Sequence, residues 1–443
     1  MTPSLVKRAY GSAVVAAHVR QKRVPSLPRE QVERLRDLRV RRIVAYAVKT
    51  VPYYRELFAR QRIDHREIRG AADLARLPLL DRELVRRQPQ LFLSEARRAR
   101  GSLAFFTTGS TGTPLRVQHD PRSLLANLAF GERERAPVID GTGGSFLPKE
   151  LYVGNEGSTL RRVTAFYRQS TLMPVGSGRR FVSVRAPIDE VAALTRAERP
   201  DLLVGYGGWI HLFFKTVAAR RIEIHPPKMV MYVAEALPHG GRELIEGSFG
   251  IPVMSRYSAA EAFKIGFYCE RRTGFHLHED VTHVRVVGAD GAAAAPGEVG
   301  RLVISNLVNR GSVLLNYPIG DLGSISSEQC PCGRTFKLLS ELEGRVEDIM
   351  PLPDGRFVHP RAVWQVLQGE SDLLQYQLTQ HEPDRFELRL VTVDDGAFGR
   401  VEQRVRAPLQ ALLGQRARIE VSRRGEGEER GEGKFRAVVS LCH

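Results

Sequence analysis

Residues Thr107-Thr108-Gly109-Ser110-Thr111-Gly112-Thr113-Pro114 form a glycine–hydroxyl stretch. Its two glycines let backbone amides approach an anion closely, and four threonines and a serine add hydroxyl donors. Such a loop can wrap a pyrophosphate. It follows Leu103-Ala104-Phe105-Phe106, an apolar run suited to a strand end. No Gly-Lys-Ser/Thr follows at Walker spacing, and the pattern is not a dinucleotide fingerprint. Taken alone, a stretch of this kind is more often a plain surface turn.

A second group of residues could hold a metal. Cys330-Pro331-Cys332-Gly333 is a tight thiol pair, and Cys269 lies upstream with His276 and His278 close after it. Three thiolates and one imidazole complete a tetrahedral zinc site, with His276 preferred over His278. A closed set of four ligands leaves no open position, so its role is expected to be structural. The competing reading is buried free cysteines, which pack as small hydrophobes. Cys442 stands apart. Four cysteines in 443 residues are not a disulfide framework.

The elements that must position these groups follow from periodicity. Residues 1–100 read as helical, with apolar residues at helical spacing over 31–48, a break at Val51-Pro52, and a further helix over 55–60. Asp81 is placed to cap the helix after it. From about 100 to 310, short apolar runs at 181–184, 202–204, 229–233 and 302–304 alternate with helical stretches at 191–197 and 210–220, which predicts α/β layers. After Gly344 the pattern changes to helix 361–367, strands 374–380 and 386–393, helix 401–413 and strand 418–421. The expected organisation is a large amino-terminal α/β domain over 1–343, with 1–100 its leading helical segment, and a small mobile α+β domain over 344–443. The Gly/Glu-rich stretch 425–433 is expected to be mobile.

Composition narrows the class. The net charge is +16, from 66 basic and 50 acidic residues, and only nine of the basic residues are lysines. The arginines are spread along the chain without a compact block interleaved with aromatics, so a solvated basic surface is favoured over nucleic-acid binding. No apolar run approaches the ~20 residues of a membrane span. The short apolar stretch 12–19, closed by Arg20, Lys22 and Arg23, reads as an amphipathic helix rather than a signal peptide. The expected compartment is the cytoplasm, with a homodimer as the working assembly.

Further motifs then give the glycine–hydroxyl loop its context. Tyr53-Tyr54-Arg55-Glu56-Leu57-Phe58 precedes Asp73-Leu74-Ala75-Arg76-Leu77-Pro78. Downstream come Pro200-Asp201-Leu202-Leu203-Val204-Gly205-Tyr206, Tyr257-Ser258-Ala259-Ala260-Glu261, Tyr317-Pro318-Ile319-Gly320-Asp321, Gly344-Arg345-Val346-Glu347-Asp348 and Gly433-Lys434-Phe435-Arg436. In this order, and over nearly the whole chain, they resemble the adenylate-forming superfamily of acyl-CoA synthetases. The closest branch looks like the phenylacetate–CoA ligases and related capsular-polysaccharide adenylate-forming proteins.

The resemblance implies ATP, Mg2+ and coenzyme A as cofactors and a small carboxylic acid as substrate. An aromatic acid is suggested only by the branch. The loop Thr107, Thr108, Gly109, Ser110, Thr111, Gly112 and Thr113 would hold phosphates, with Glu235, Ala236, Tyr257, Ser258, Asp321 and Arg345 completing the nucleotide site. Tyr257 would pack on adenine, Glu261 would hold magnesium and Asp321 would accept from the ribose hydroxyls. Glu347 lies where the family's chain pivots. Lys434 would be the catalytic lysine, bridging the attacking carboxylate and the α-phosphate. Tyr206, Gly207, Trp209 and Arg256 would line the acid pocket. Similar cysteines recur in the branch, which favours zinc. Ser258, Ala260, Asn316 and Ile319 replace the family's Gly, Thr, Arg and Thr, putting part of the phosphate contact in doubt. Two alternatives stay open: transfer of the acyl group to an amine, a sugar hydroxyl or a carrier protein, and a non-catalytic nucleotide-binding relative.

Overall fold

The computed structural model describes residues 3–96, 101–107, 114–145, 147–424 and 435–442. The chain divides into two compact units. The first takes Met1–Asp140, Glu156–Ser177 and Arg256–Leu342, and the second takes Gly141–Asn155, Gly178–Ser255 and Glu343–His443.

In the first unit the leading segment is helical, as its periodicity predicts. The helix expected over 31–48 is Arg29–Thr50, and the one expected over 55–60 is Pro52–Gln61. Val51 between them is extended, the conformation favoured before proline. The Asp81 side chain accepts from the Glu83 amide at 2.8 Å and caps Arg82–Arg87. These helices bury Val40, Ile43, Val44, Tyr54, Leu57 and Phe58 against Leu307, Val313 and Leu315.

The rest of the first unit is built on antiparallel strands. Thr282–Val287, Gly300–Asn306, Tyr317–Ile325, Leu338–Arg345, Phe275–Leu277 and Gly266–Tyr268 lie side by side in that order. Here the structure differs from the alternating pattern expected up to residue 310. Connections after residue 257 are too short to carry crossover helices, and short connections favour antiparallel neighbours. Strands Leu103–Phe106 and Arg116–His119 form a separate hairpin that carries the glycine–hydroxyl stretch between them.

The second unit holds the parallel α/β part. Strands Met229–Val233, Leu202–Tyr206, Glu150–Gly154 and Arg179–Ser183 pair in parallel. Helix Gly207–Arg220 packs beside them and buries Trp209, Ile210, Leu212, Phe213, Phe214 and Val217. Each such side chain contributes roughly 1.5–3 kcal/mol. The carboxyl-terminal part of the same unit has strands Arg418–Arg423, Arg385–Thr392, Leu373–Glu382 and Val438–Ser440 in that order, with helices Pro360–Leu367 and Ala397–Leu413. Leu374 and Val391 of these strands join the core around helix Gly207–Arg220.

Candidate active site

In the first unit, motifs far apart in sequence meet. Strand Val253–Tyr257 ends at Tyr257, whose hydroxyl donates to Asp321 Oδ2 at 2.6 Å. Asp321 lies on strand Tyr317–Ile325, just after Gly320, whose φ is +94°. That φ favours glycine, and a Cβ there would also stand 2.8 Å from Arg82 Nη1, so the guanidinium would have to move aside. Arg82 also bonds the Tyr317 hydroxyl. Burial pushes the Tyr317 phenol up, the nearby Glu261 carboxylate adds to this, and Arg82 opposes it. Glu261 is itself buried. A carboxylate, a guanidinium, a tyrosine and an aspartate thus share one neighbourhood.

The Tyr257–Glu261 segment is held from below by His119. Its Nε2 lies 2.6 Å from the Ala260 carbonyl oxygen, which fixes the proton on Nε2. Burial lowers His119 to about 4, so the imidazole is neutral at ordinary pH. His119 ends the strand after the glycine–hydroxyl stretch. The neck of that stretch is closed twice: the Thr107 amide donates to the Leu115 carbonyl at 3.0 Å, and the Leu115 amide to Thr107 Oγ1 at 3.1 Å. Thr108, Gly109, Ser110, Thr111, Gly112 and Thr113 lie outside the described residues, as does Lys434.

Two of the four positions that depart from the resemblance, Asn316 and Ile319, have structural reasons. Asn316 has φ +56°, a left-handed conformation that asparagine tolerates better than most residues. Its Nδ2 donates to the carbonyls of Leu74 and Leu77 at 2.6 and 2.9 Å, tying the leading helices to the sheet. Ile319 is buried in the apolar core. Ser258 is exposed, and Ala260 offers its carbonyl to His119.

In the second unit the expected pocket residues gather at one end of strand Leu202–Tyr206. Tyr206 is buried, and its hydroxyl accepts from the Asn155 amide at 3.3 Å. Burial and the Glu235 carboxylate push its phenol up, partly opposed by Asn155. Gly207 opens the following helix. Trp209 is buried and stacks on Phe213 with ring centroids 5.1 Å apart, its Nε1 without a hydrogen-bond partner among the described residues. Glu235 accepts from the amides of Gly208 at 3.3 Å and Phe435 at 2.7 Å. Ala236 follows it in the same loop. Arg436 donates to Asp348 and to the Glu347 carbonyl, and burial together with Arg345 lowers it to about 10.

Arg256, expected in the pocket with Tyr206, belongs to the first unit. It forms an ion pair with the buried Glu134 at 3.1 Å, beside Lys264 at 2.8 Å and His278 Nε2 at 2.9 Å. Burial raises the Glu134 carboxyl, but these cations and the imidazole hold it well below the usual range. This carboxylate, Arg82 and His119 are contacts the sequence reading missed. Their partners are distant in the chain, and no motif marks them.

The thiol cluster assembles in the first unit. One ligand atom each from Cys269, His276, Cys330 and Cys332 lies within 4.8 Å of all the others. Cys269 and Cys330 sulfurs are 3.6 Å apart, and Cys332 Sγ lies 3.3 Å from His276 Nε2. These are tetrahedral-edge separations, about what Zn–S near 2.3 Å and Zn–N near 2.0 Å generate, and far too long for a disulfide. Burial, with Arg334 nearby, lowers His276 to about 4, leaving a neutral imidazole ready to ligate. His278 instead faces Glu134.

No protein-family model matches the chain. It is 26% identical over 395 residues to the phenylacetate–coenzyme A ligase of Thermus thermophilus, covering 87% of this chain and 86% of that one. It is 20% identical over 331 residues to the phenylacetate–coenzyme A ligase of Aromatoleum evansii, covering 72% of each. Among solved structures, 2-hydroxyisobutyryl-CoA ligase in its postadenylation state superposes with a TM-score of 0.73 at 17% identity, over 94% of this chain and 91% of that one. The same ligase with 2-HIB-AMP and CoA in the thioesterification state gives 0.60 at 17% identity, over 95% and 92%. The chain is therefore similar to these phenylacetate–CoA ligases over most of its length, and its fold is that of 2-hydroxyisobutyryl-CoA ligase.

Proposed function

We propose that this protein is an AMP-forming acid–CoA ligase. The observation that carries this reading is the pairing of Tyr257 with Asp321, which joins two nucleotide motifs that stand far apart in the chain. The acid's carboxylate oxygen attacks the α-phosphorus of ATP, the α–β bridging P–O bond breaks, and pyrophosphate leaves. The thiol of coenzyme A then attacks the acyl carbon, its proton passes to solvent, and AMP departs. Tyr257 offers an aromatic face to adenine, and Asp321 accepts from ribose hydroxyls. Lys434 places an ammonium beside the reacting oxygens, where developing charge is best stabilised by a fixed cation. The hydroxyls and amides of residues 107–113 hold the leaving pyrophosphate, with Arg82 supplying further positive charge near Glu261.

The donor set fits two metals. Glu261 is a buried carboxylate suited to one hard cation, and magnesium there would offset phosphate charge. Cys269, His276, Cys330 and Cys332 suit zinc in a structural role. The acid is an aryl or small acyl carboxylate. An ATP–pyrophosphate exchange screen with phenylacetate and other aryl and acyl acids tests the first step. Exchange with one of them, abolished in Lys434→Ala, is the expected result. The absence of both exchange and ATP binding would sink the proposal, and formation of a CoA thioester tests the acceptor.

A further inference from the structure

The chain that leaves Lys434 is anchored on one carboxylate. Phe435 follows Lys434 directly, and its amide N–H donates to Glu235 Oε1 at 2.7 Å. The other oxygen of the same carboxylate, Oε2, accepts from the Gly208 amide at 3.3 Å, in the first turn of the fourteen-residue helix Gly207–Arg220. A negative charge is well placed at such a helix end. Gly208 makes the approach feasible, because a Cβ there would stand 2.8 Å from the Phe435 ring and 3.2 Å from Glu235 Oε2.

The backbone before Glu235 is set for this task. Ala234 has φ +66°, and the Glu235 amide donates back to the Val233 carbonyl at 2.8 Å. A three-residue turn with a positive φ at a non-glycine residue is uncommon and strained, and strain of this kind collects where side-chain direction matters. On the far side of Phe435, the chain is fixed again. The Arg436 guanidinium bonds Asp348, and the Arg436 carbonyl accepts from Gln377 Nε2 at 3.0 Å.

We propose that Glu235 is a positioning residue for adenylation: by holding the Phe435 amide against the start of helix Gly207–Arg220, it sets where the preceding Lys434 can act. This rests on the reading of Lys434 as the catalytic lysine. The lysine is needed only while the carboxylate attacks the α-phosphate, so the contribution of Glu235 belongs to that half-reaction. Nothing in the thiol's attack on an acyl-adenylate calls for it.

The test has one readout of the contact and one of its consequence. Hydrogen exchange on the full-length protein reports the contact. In Glu235→Ala the Phe435 amide loses protection while the rest of helix Gly207–Arg220 keeps it, and Glu235→Gln, which retains one acceptor oxygen, lies between Glu235→Ala and the parent. Unchanged protection at Phe435 overturns the proposal. Phenylacetate-dependent ATP–pyrophosphate exchange reports the consequence. Glu235→Ala is expected to lose about tenfold to a hundredfold in rate, as a misplaced catalytic group does. Glu235→Gln loses less. Thioester formation from pre-made phenylacetyl-adenylate and coenzyme A isolates the second step, and there Glu235→Ala slows far less than in exchange. Equal losses in both steps overturn the positioning role. So does parent-like exchange in Glu235→Ala when Lys434→Ala is inactive. If Lys434→Ala itself exchanges like the parent, the catalytic reading of the lysine fails instead, and the positioning role fails with it.

Discussion

The Tyr257 hydroxyl donates to Asp321 Oδ2 at 2.6 Å, so the residue expected to face adenine also orients the one expected to hold ribose. A hydrogen bond to a charged group contributes about 1.5–3 kcal/mol when buried, and less where the carboxylate is partly exposed. Tyr257→Phe keeps the ring and removes the hydroxyl that makes this bond. It is expected to raise the KM for ATP in pyrophosphate exchange by about fivefold, corresponding to about 1 kcal/mol, with little change in kcat. Asp321→Ala should cost more, because the ribose contacts go with it. An unchanged KM in Tyr257→Phe would show that Asp321 needs no support from the tyrosine.

The thiol cluster makes a prediction about metal content. The purified protein is expected to carry one zinc per chain, released by Cys269→Ser or Cys332→Ser and by prolonged chelation. A ligand bound at about a hundred times its Kd stabilises by about 2.7 kcal/mol, so the thermal midpoint should fall by several degrees on zinc loss. Exchange activity measured well below that midpoint should persist, since the cluster is closed. Elemental analysis and a melting curve with and without chelator decide the matter, and a metal-free protein with an unshifted midpoint would refute it.

Asn316 should matter to stability more than to nucleotide binding. Asn316→Ala removes two donors to buried carbonyls and places an alanine at φ +56°. Together these cost about 2–4 kcal/mol. Asn316→Gly loses the donors but not the backbone fit, and is expected to be about 1 kcal/mol less harmful than alanine. Denaturant midpoints of the two variants check the order. If glycine proves the worse of the two, backbone strain at this residue is not the controlling factor.

Stability should fall in mild acid. Burial lowers both His119 and His211 to about 4 in the folded protein, with Lys215 adding to the effect at His211. Their unfolded value is near 6.5. Between those limits the unfolded chain binds protons that the folded one refuses, so stability is full above about 6.5 and declines as pH drops toward 4. Asp280 acts lower on the scale. Burial raises it, but Arg133 and Arg39 outweigh this and hold it at about 2, so its contribution is lost only below about 4. Thermal midpoints from pH 7.5 to 4.5 should show a steady fall that flattens in His119→Gln. A flat profile in the parent protein would contradict the burial of these imidazoles in neutral form.

Much of the molecule was legible from its residues. Helical spacing placed Arg29–Thr50 and Pro52–Gln61, the proline at 52 marked the break between them, and Asp81 capped the helix it precedes. The buried runs at 202–204 and 229–233 became paired parallel strands, and the carboxyl-terminal alternation matched its helices and strands. The strands after residue 257 were harder to read, because a short apolar run looks alike in a parallel or an antiparallel neighbour.

The sequence by itself determined which residue types stand at Tyr257, Glu261, Asp321 and the four thiol-cluster positions, because motif order and local spacing are properties of the chain. Only the tertiary structure decided which partners those groups take. It turned His276 to the thiols and His278 to Glu134, gave Arg256 to Glu134, set Arg82 against Gly320, and placed Phe435 on Glu235. The physical reason is range. Capping, periodicity and turn chemistry act over a few residues. A hydrogen bond or ion pair between distant segments depends on how strands register and helices pack, which no local pattern specifies.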